Sequence, residues 1–199
     1  MIPLIVGVAV FLGTHLIPTN PALRRSFIER LGENTYRIAF SVASLVGLVI
    51  IVYGYHKLQV MPGKNPELWT PPVFMRHIAL LLMLPAMILL VAAYVPSRIR
   101  TAVRHPMLAA IKVWAFSHLL ANGDAASVLL FGSFLAYAVY DRISAKKRGG
   151  GLGPLGAKTG GLSGDLIAVV VGTGLYVALI GGLHATLFGV APVPGFALL

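Results

Sequence analysis

The histidines are the residues of this sequence most able to do chemistry. Five of the six lie in or at the edges of long apolar stretches, where an ionisable side chain is costly to bury without a partner. These five are His15, His77, His105, His118 and His184. Because neutral imidazole is a metal ligand and a proton carrier, they are the first candidates for a functional site. The sixth, His56, is most simply an interface residue at the end of a span.

Two neutral imidazoles from different helices can ligate the iron of a heme from opposite sides. Such a pair must lie at one depth in the membrane, since its two nitrogens are only about 4 Å apart. With the N-terminus outside, depth favours His77 with His118 or His184, or His15 with His105, and disfavours His15 with His118. The alternative for each histidine is a hydrogen bond to a backbone carbonyl, Ser or Thr within the bundle.

The surroundings of His118 are also polar. Trp114 precedes it by one helical turn and Asn122 follows by one turn, so this helix face stays polar up to the sequence Asn-Gly-Asp. Those three residues predict a tight connection between helices. Alternatively, Asp124 accepts the N–H of a nearby imidazole and makes that imidazole a better ligand.

Other chemistries find less support. The chain contains no cysteine, which excludes disulfides, thiolate ligands and iron–sulfur clusters, and its six acidic residues form no triad or acid–base pair. The zinc-protease pattern HExxH is absent. Zinc bound by the outer histidines stays an alternative, although an intramembrane site made of histidine alone would be unusual.

The elements that must position these residues are membrane helices. The chain is 57% hydrophobic and 11% charged, with a mean hydropathy of +0.85, which is typical of a membrane protein. The apolar runs are Ile2 to Ile17, Tyr36 to Tyr55, Ile78 to Val95, Met107 to Ala121, Ala125 to Tyr140 and Leu166 to Gly189. We therefore predict an all-α fold: a polytopic membrane helix bundle of about six transmembrane helices.

Loop charges orient the bundle. Most Lys and Arg residues fall on one side if the N-terminus lies outside, so the net charge of +10 reflects basic cytoplasmic loops and not nucleic-acid binding. In the first cytoplasmic loop, Asn20 as N-cap, Pro21 and Gly32 predict a short helix, either on the inner membrane surface with its arginines toward anionic headgroups or as a solvated connector. Residues 144–164 predict a flexible basic linker before the last helix, 166–189.

Small residues in that last helix predict close helix contact along a face formed by Gly174, Ala178 and Gly181. Pro85, in the third span, is the one internal helix break that the sequence predicts.

Several stretches together resemble a known family: GTHLIP, LGENTYRIAFSVASLVGLVIIVYGY, LWTPPVFMRHIALLLM, AAYVPSRIRTAVRHPML and KVWAFSHLLANGDAASVLLFGSFLAYAVYDR. They are similar to the NnrU family of bacterial membrane proteins, which is related to zeta-carotene isomerase. The resemblance covers roughly residues 6–142. It implies heme b on histidines, with His15 and His118 at the equivalent positions. The isomerase has a ligating Cys after the Trp, whereas this chain has Ala115, so a histidine-to-thiolate ligand switch is excluded.

We therefore expect a single domain, 1–199, in the bacterial inner membrane. The leading hypothesis is heme b binding through His118, whose partner is left open between His15 and His77, with His105 a further candidate. The chemistry would be redox or isomerase-like, on an apolar substrate such as a carotenoid or quinone. The family name suggests a link to nitric oxide metabolism in denitrification. The alternative is a non-enzymatic transporter or assembly component with structural histidines.

Overall fold

The structure is a computed structural model that describes residues 1–149, 155–156 and 158–193. In this part of the chain every regular element is helical, which confirms the all-α prediction. The α-helices are α1 (Ile2–Leu16), α2 (Pro21–Leu31), α3 (Glu33–Val60), α4 (Val73–Ala92), α5 (Arg98–Val103), α6 (Pro106–Ala121), α7 (Ala125–Lys147), α8 (Leu162–Ala178) and α9 (His184–Phe188). A 3₁₀ turn, Ile17–Thr19, follows α1, and a π-helix, Leu179–Leu183, joins α8 to α9.

Five helical segments of the described chain are long and apolar enough to cross a membrane: Ile2–Thr19, Glu33–Val60, Val73–Ala92, Ala125–Lys147 and Leu162–Phe188. The sixth predicted span corresponds to α6, which is apolar but has only 16 residues. This confirms a polytopic membrane protein. The outside location of the N-terminus stays a prediction.

The short helix predicted after the first span is confirmed as α2. The side chain of Asn20 accepts hydrogen bonds from the backbone N–H groups of Ala22 and Leu23, each at 3.1 Å. Pro21 occupies the first helical position, where its missing N–H costs nothing. Gly32 ends the helix with a φ of 78°, which favours glycine.

The chain divides into two compact units, and the first contains residues 1–70 and 122–144. Within it, α1 packs closely along α3 because glycines remove side chains from the contact. A Cβ added to Gly54 would lie 2.6 Å from the backbone nitrogen of Leu4, and one added to Gly7 would lie 2.6 Å from that of Ile51. These positions therefore need glycine.

The second unit contains residues 71–121 and 145–199, of which only the described residues are discussed. Here α4 packs against both α6 and α8. The predicted small-residue face of the last helix is corrected in part: Gly181 is buried, but Gly174 faces open space. The close contact lies instead at Gly172, where an added Cβ would be 2.6 Å from the Cα of Ile88. Gly164 and Ala168 are buried on that same face, because residues four apart align along a helix.

The helix break also differs from the prediction. Helix α4 runs continuously through Pro85, from Val73 to Ala92. The interruption lies instead in the last span, at the π-helix, where Gly182 has a non-helical φ of 138°. This conformation is open to glycine and strained for other residues.

The predicted linker is shorter than 144–164, because α7 continues to Lys147 and α8 begins at Leu162. Residues 150–154 and 157 of the linker lie outside the described residues. Its described part is held by Arg100, a fully buried side chain that donates hydrogen bonds to the carbonyls of Gly156, at 2.6 Å, and Lys158.

Candidate histidine site

Two histidines of the second unit lie next to each other. His118 is in the last turn of α6, and His184 is the first residue of α9, directly after the π-helix. Their ring centroids are 6.4 Å apart and their planes differ by 22°. This separation lies within the range of about 4.5–7 Å over which aromatic rings interact, and the small angle between the planes makes the two imidazoles a stacked pair. The two rings thus form an aromatic pair between α6 and α9.

Both imidazoles are held by backbone carbonyls. Nδ1 of His118 lies 2.9 Å from the carbonyl oxygen of Trp114, and Nδ1 of His184 lies 2.6 Å from that of Val190. A carbonyl can only accept, so Nδ1 donates in each case. In the neutral form the lone pair is then on Nε2, the arrangement that metal-ligating histidines adopt.

The distance between the two rings can be compared with that of two imidazoles bound to one iron. Such ligands hold their ring centroids roughly 6 Å apart, because each iron–nitrogen bond is about 2 Å and each nitrogen lies about 1 Å from its ring centroid. The spacing of 6.4 Å between His118 and His184 agrees with that value. Among the described residues, no three His, Cys, Asp or Glu side chains come together as a metal site, so the zinc alternative finds no ligand set there.

Aromatic side chains flank the pair on both sides. The Trp114 ring lies 5.3 Å from that of His118, and the Phe188 ring lies 4.9 Å from that of His184. Trp114 therefore fixes the tautomer of His118 through its backbone carbonyl and contacts the imidazole with its indole ring. This agrees with its predicted place beside His118.

His15 lies in the first unit, in an aromatic cluster. Its ring stacks on Phe11 at 4.2 Å and meets the edges of Phe40 and Tyr137 at 5.2 Å and 6.2 Å. Its Nδ1 donates to the carbonyl of Phe11, at 2.7 Å. The His15–His118 pair that the family resemblance implies joins residues of different units and stays a prediction.

The remaining candidate histidines belong to the second unit. His77 is exposed near the start of α4, whereas His105 is buried, at 8% exposure, immediately before α6. Their pairings with other histidines remain predictions.

Asp124 holds a loop together. Its carboxylate accepts hydrogen bonds from the side chains of Asn65, at 2.7 Å, and Gln59, at 3.2 Å, and from both the backbone N–H and the hydroxyl of Ser127, at 2.9 and 2.6 Å. None of these partners is an imidazole. The structure thus supports the alternative in which Asn122, Gly123 and Asp124 form a tight connection.

The hydrogen bonds of Asp124 also set its charge state. Burial alone would raise the pKa of this carboxyl, but the bonds from Ser127, Asn65 and Gln59 outweigh burial and lower the pKa below its usual range. Asp124 is therefore ionised at neutral pH and acts as the N-cap of α7.

The family model described as NnrU protein matches residues 3–192. The chain belongs to the NnrU family. Neither the curated proteins nor the solved structures gave a match. The NnrU match extends past the 6–142 on which the resemblance rests and includes the last helix with His184. The relation to zeta-carotene isomerase stays a prediction.

Sequence reasoning grouped His184 with the outer histidines but did not select it as a ligand. The signal that could have selected it is the Gly-Gly pair at 181–182, two residues before the histidine. Paired glycines in an apolar helix predict a local break, and π-helical segments are frequent at functional sites.

Proposed function

We propose that this integral membrane protein binds heme b between His118 and His184. The observation that carries the proposal is the pairing of two imidazoles with ring centroids 6.4 Å apart, each with Nδ1 donating to a carbonyl. A heme would supply redox chemistry or an electrophilic iron to a substrate. The bacterial inner membrane and a link to nitric oxide metabolism are part of the same proposal.

The residues of the chain have defined tasks in this site. The carbonyls of Trp114 and Val190 orient the imidazoles and raise their basicity, as carbonyls do for metal-bound histidines. The rings of Trp114 and Phe188 add apolar contacts beside the two imidazoles. An apolar substrate, such as a carotenoid or a quinone, would reach the site from the bilayer.

The chemistry has one built-in limit. The chain contains no cysteine, so no thiolate of its own can replace either histidine on the iron. An isomerase reaction that depends on a thiolate ligand is therefore excluded for this chain, while redox or isomerase-like chemistry with two histidines is retained in the proposal.

The test is heme content in matched histidine variants. The full chain would be purified in mild detergent and titrated with hemin, and bound heme measured per protein after transfer to pyridine. His118→Ala and His184→Ala should each abolish low-spin heme, whereas His56→Ala, at an exposed position, should retain it. Circular dichroism and size-exclusion chromatography check that every variant remains folded.

His15→Ala separates the two ligand pairs. Our proposal expects this variant to keep a low-spin spectrum. If His15→Ala loses the heme and His184→Ala keeps it, the pair implied by the family resemblance is the correct one and ours is wrong.

One observation favours a second function, a transporter or assembly component without heme. The last span is interrupted at the π-helix with Gly182, and discontinuous helices are typical of transporter binding sites. His184 beside the break would then carry protons. A protein that ignores added hemin would favour this alternative.

A further inference from the structure

The helix α2 must lie at the membrane surface. It is joined to the segment Ile2–Thr19 by Asn20 and to the segment Glu33–Val60 by Gly32, and both segments are apolar and long enough to span. A helix tethered this closely at both ends cannot leave the boundary between lipid and water. Whatever α2 binds therefore has lipid headgroups as its nearest neighbours.

A cavity opens beside this helix. It has a volume of about 290 Å³ and is lined by Pro18, Pro21, Arg24, Arg25 and Ile28. This is close to the lower end, roughly 300 Å³, of pockets that hold small ligands. Two arginines and three apolar residues form its wall, so it offers cationic donors next to apolar surface.

The two arginines have no acidic side chain among the residues that line the cavity. The guanidinium of Arg24 lies 5.9 Å from the centroid of the buried Tyr36 ring, a cation–π contact that restrains it without neutralising its charge. A guanidinium offers parallel N–H donors that match the oxygens of a phosphate. The positive charge and the N–H geometry of the two guanidinium groups thus both favour a phosphate-type anion.

A second, apolar face of α2 suits contact with the bilayer. Leu23, Phe27 and Leu31 are 44%, 36% and 45% exposed, which is unfavourable in water and favourable against acyl chains. These three residues are spaced four apart and lie along one face of the helix. The helix therefore offers apolar contact for acyl chains of the bilayer along this face and, on its cavity side at Arg24 and Arg25, cationic contact for a headgroup.

We propose that the cavity at α2 binds the phosphodiester headgroup of one anionic lipid, with Arg24 and Arg25 as its ligands. This site is separate from the histidine site and does not depend on the proposed heme. Its occupant would fix α2 against the bilayer and so hold the connection between α1 and α3.

The test uses the delipidated full chain in detergent, titrated with dioleoylphosphatidylglycerol and followed by native mass spectrometry. Wild-type protein should retain one such lipid in preference to dioleoylphosphatidylcholine. Arg24→Gln and Arg25→Gln should each weaken retention about fivefold, as expected for one cation beside an anionic headgroup. The matched control is Arg30→Gln on the same helix, because Arg30 does not line the cavity.

Two outcomes overturn the proposal. Equal losses in all three variants would mean that general surface charge, and not this cavity, attracts the lipid. Full displacement of the lipid by millimolar glycerol 3-phosphate would mean that the site takes a free phosphate. Circular dichroism of the three Arg→Gln variants checks that their helices remain formed.

Discussion

The substitution Gly182→Ala tests whether the helix break positions His184. Gly182 has φ 138° and ψ −29°, a conformation that a residue with a Cβ adopts only under strain. Such strain costs about 1–3 kcal/mol, so the backbone would favour another conformation by a factor of about 5 to 150. Because His184 follows two residues later, its ring would leave its place beside His118. We expect the apparent hemin affinity to fall by at least about fivefold.

The matched control for this experiment is Gly174→Ala. Gly174 lies in the regular part of α8, and a Cβ added there meets no atom within 4 Å. Alanine in such a position favours the helix by up to about 1 kcal/mol, so hemin affinity should be unchanged.

The assay is a hemin titration followed by the Soret absorbance, with thermal unfolding measured on the same samples. Gly182→Ala should lose affinity while Gly174→Ala does not. If Gly182→Ala binds hemin as tightly as the wild type, the break does not position His184 and the reasoning from strain is refuted. Equal losses in both variants would point instead to a general effect on the last helix.

Two further predictions concern the first unit. Asp124→Asn should lower the unfolding free energy at pH 7 by about 1–2 kcal/mol, through weaker hydrogen bonds to Ser127 and Asn65. Because the pKa of Asp124 is lowered in the folded state, its contribution to stability is fully present above the unfolded pKa of about 4 and is lost as the pH falls through the folded pKa. The melting temperatures of wild type and Asp124→Asn should therefore converge in acid. A difference that stays constant with pH would contradict this. Gly54→Ala should lower the unfolding free energy by about 1–3 kcal/mol, because its Cβ would overlap the backbone of α1. The control Gly13→Ala, whose Cβ meets no atom within 4 Å, should leave the unfolding free energy unchanged. Equal melting temperatures of the two variants would show that the helices can move apart freely.

Hydropathy and capping signals were sufficient to predict much of this fold. The apolar runs predicted the spans because lipid-facing helices are apolar on every exposed side. Asn20, Pro21 and Gly32 predicted both ends of α2, since caps act through neighbouring residues alone. These features depend on local sequence, which a single chain displays directly.

Features that depend on packing were not predicted correctly. Small residues occur on several faces of the last helix, and only the contact with Ile88 selects the face that contains Gly172. Pro85 was expected to interrupt a helix, yet neighbouring groups in a span can satisfy the freed carbonyl and the helix continues. Depth along the helices grouped His118 and His184 with His77, but the contact between the His118 and His184 rings depends on packing that the sequence does not display.

The most direct test of the histidine site is the visible absorption spectrum of the purified full chain, recorded oxidised and after reduction with dithionite. Our account predicts a Soret band with sharp α and β bands on reduction, as expected for low-spin iron with two histidine ligands. A protein that is colourless and stays so after addition of hemin would contradict the heme proposal.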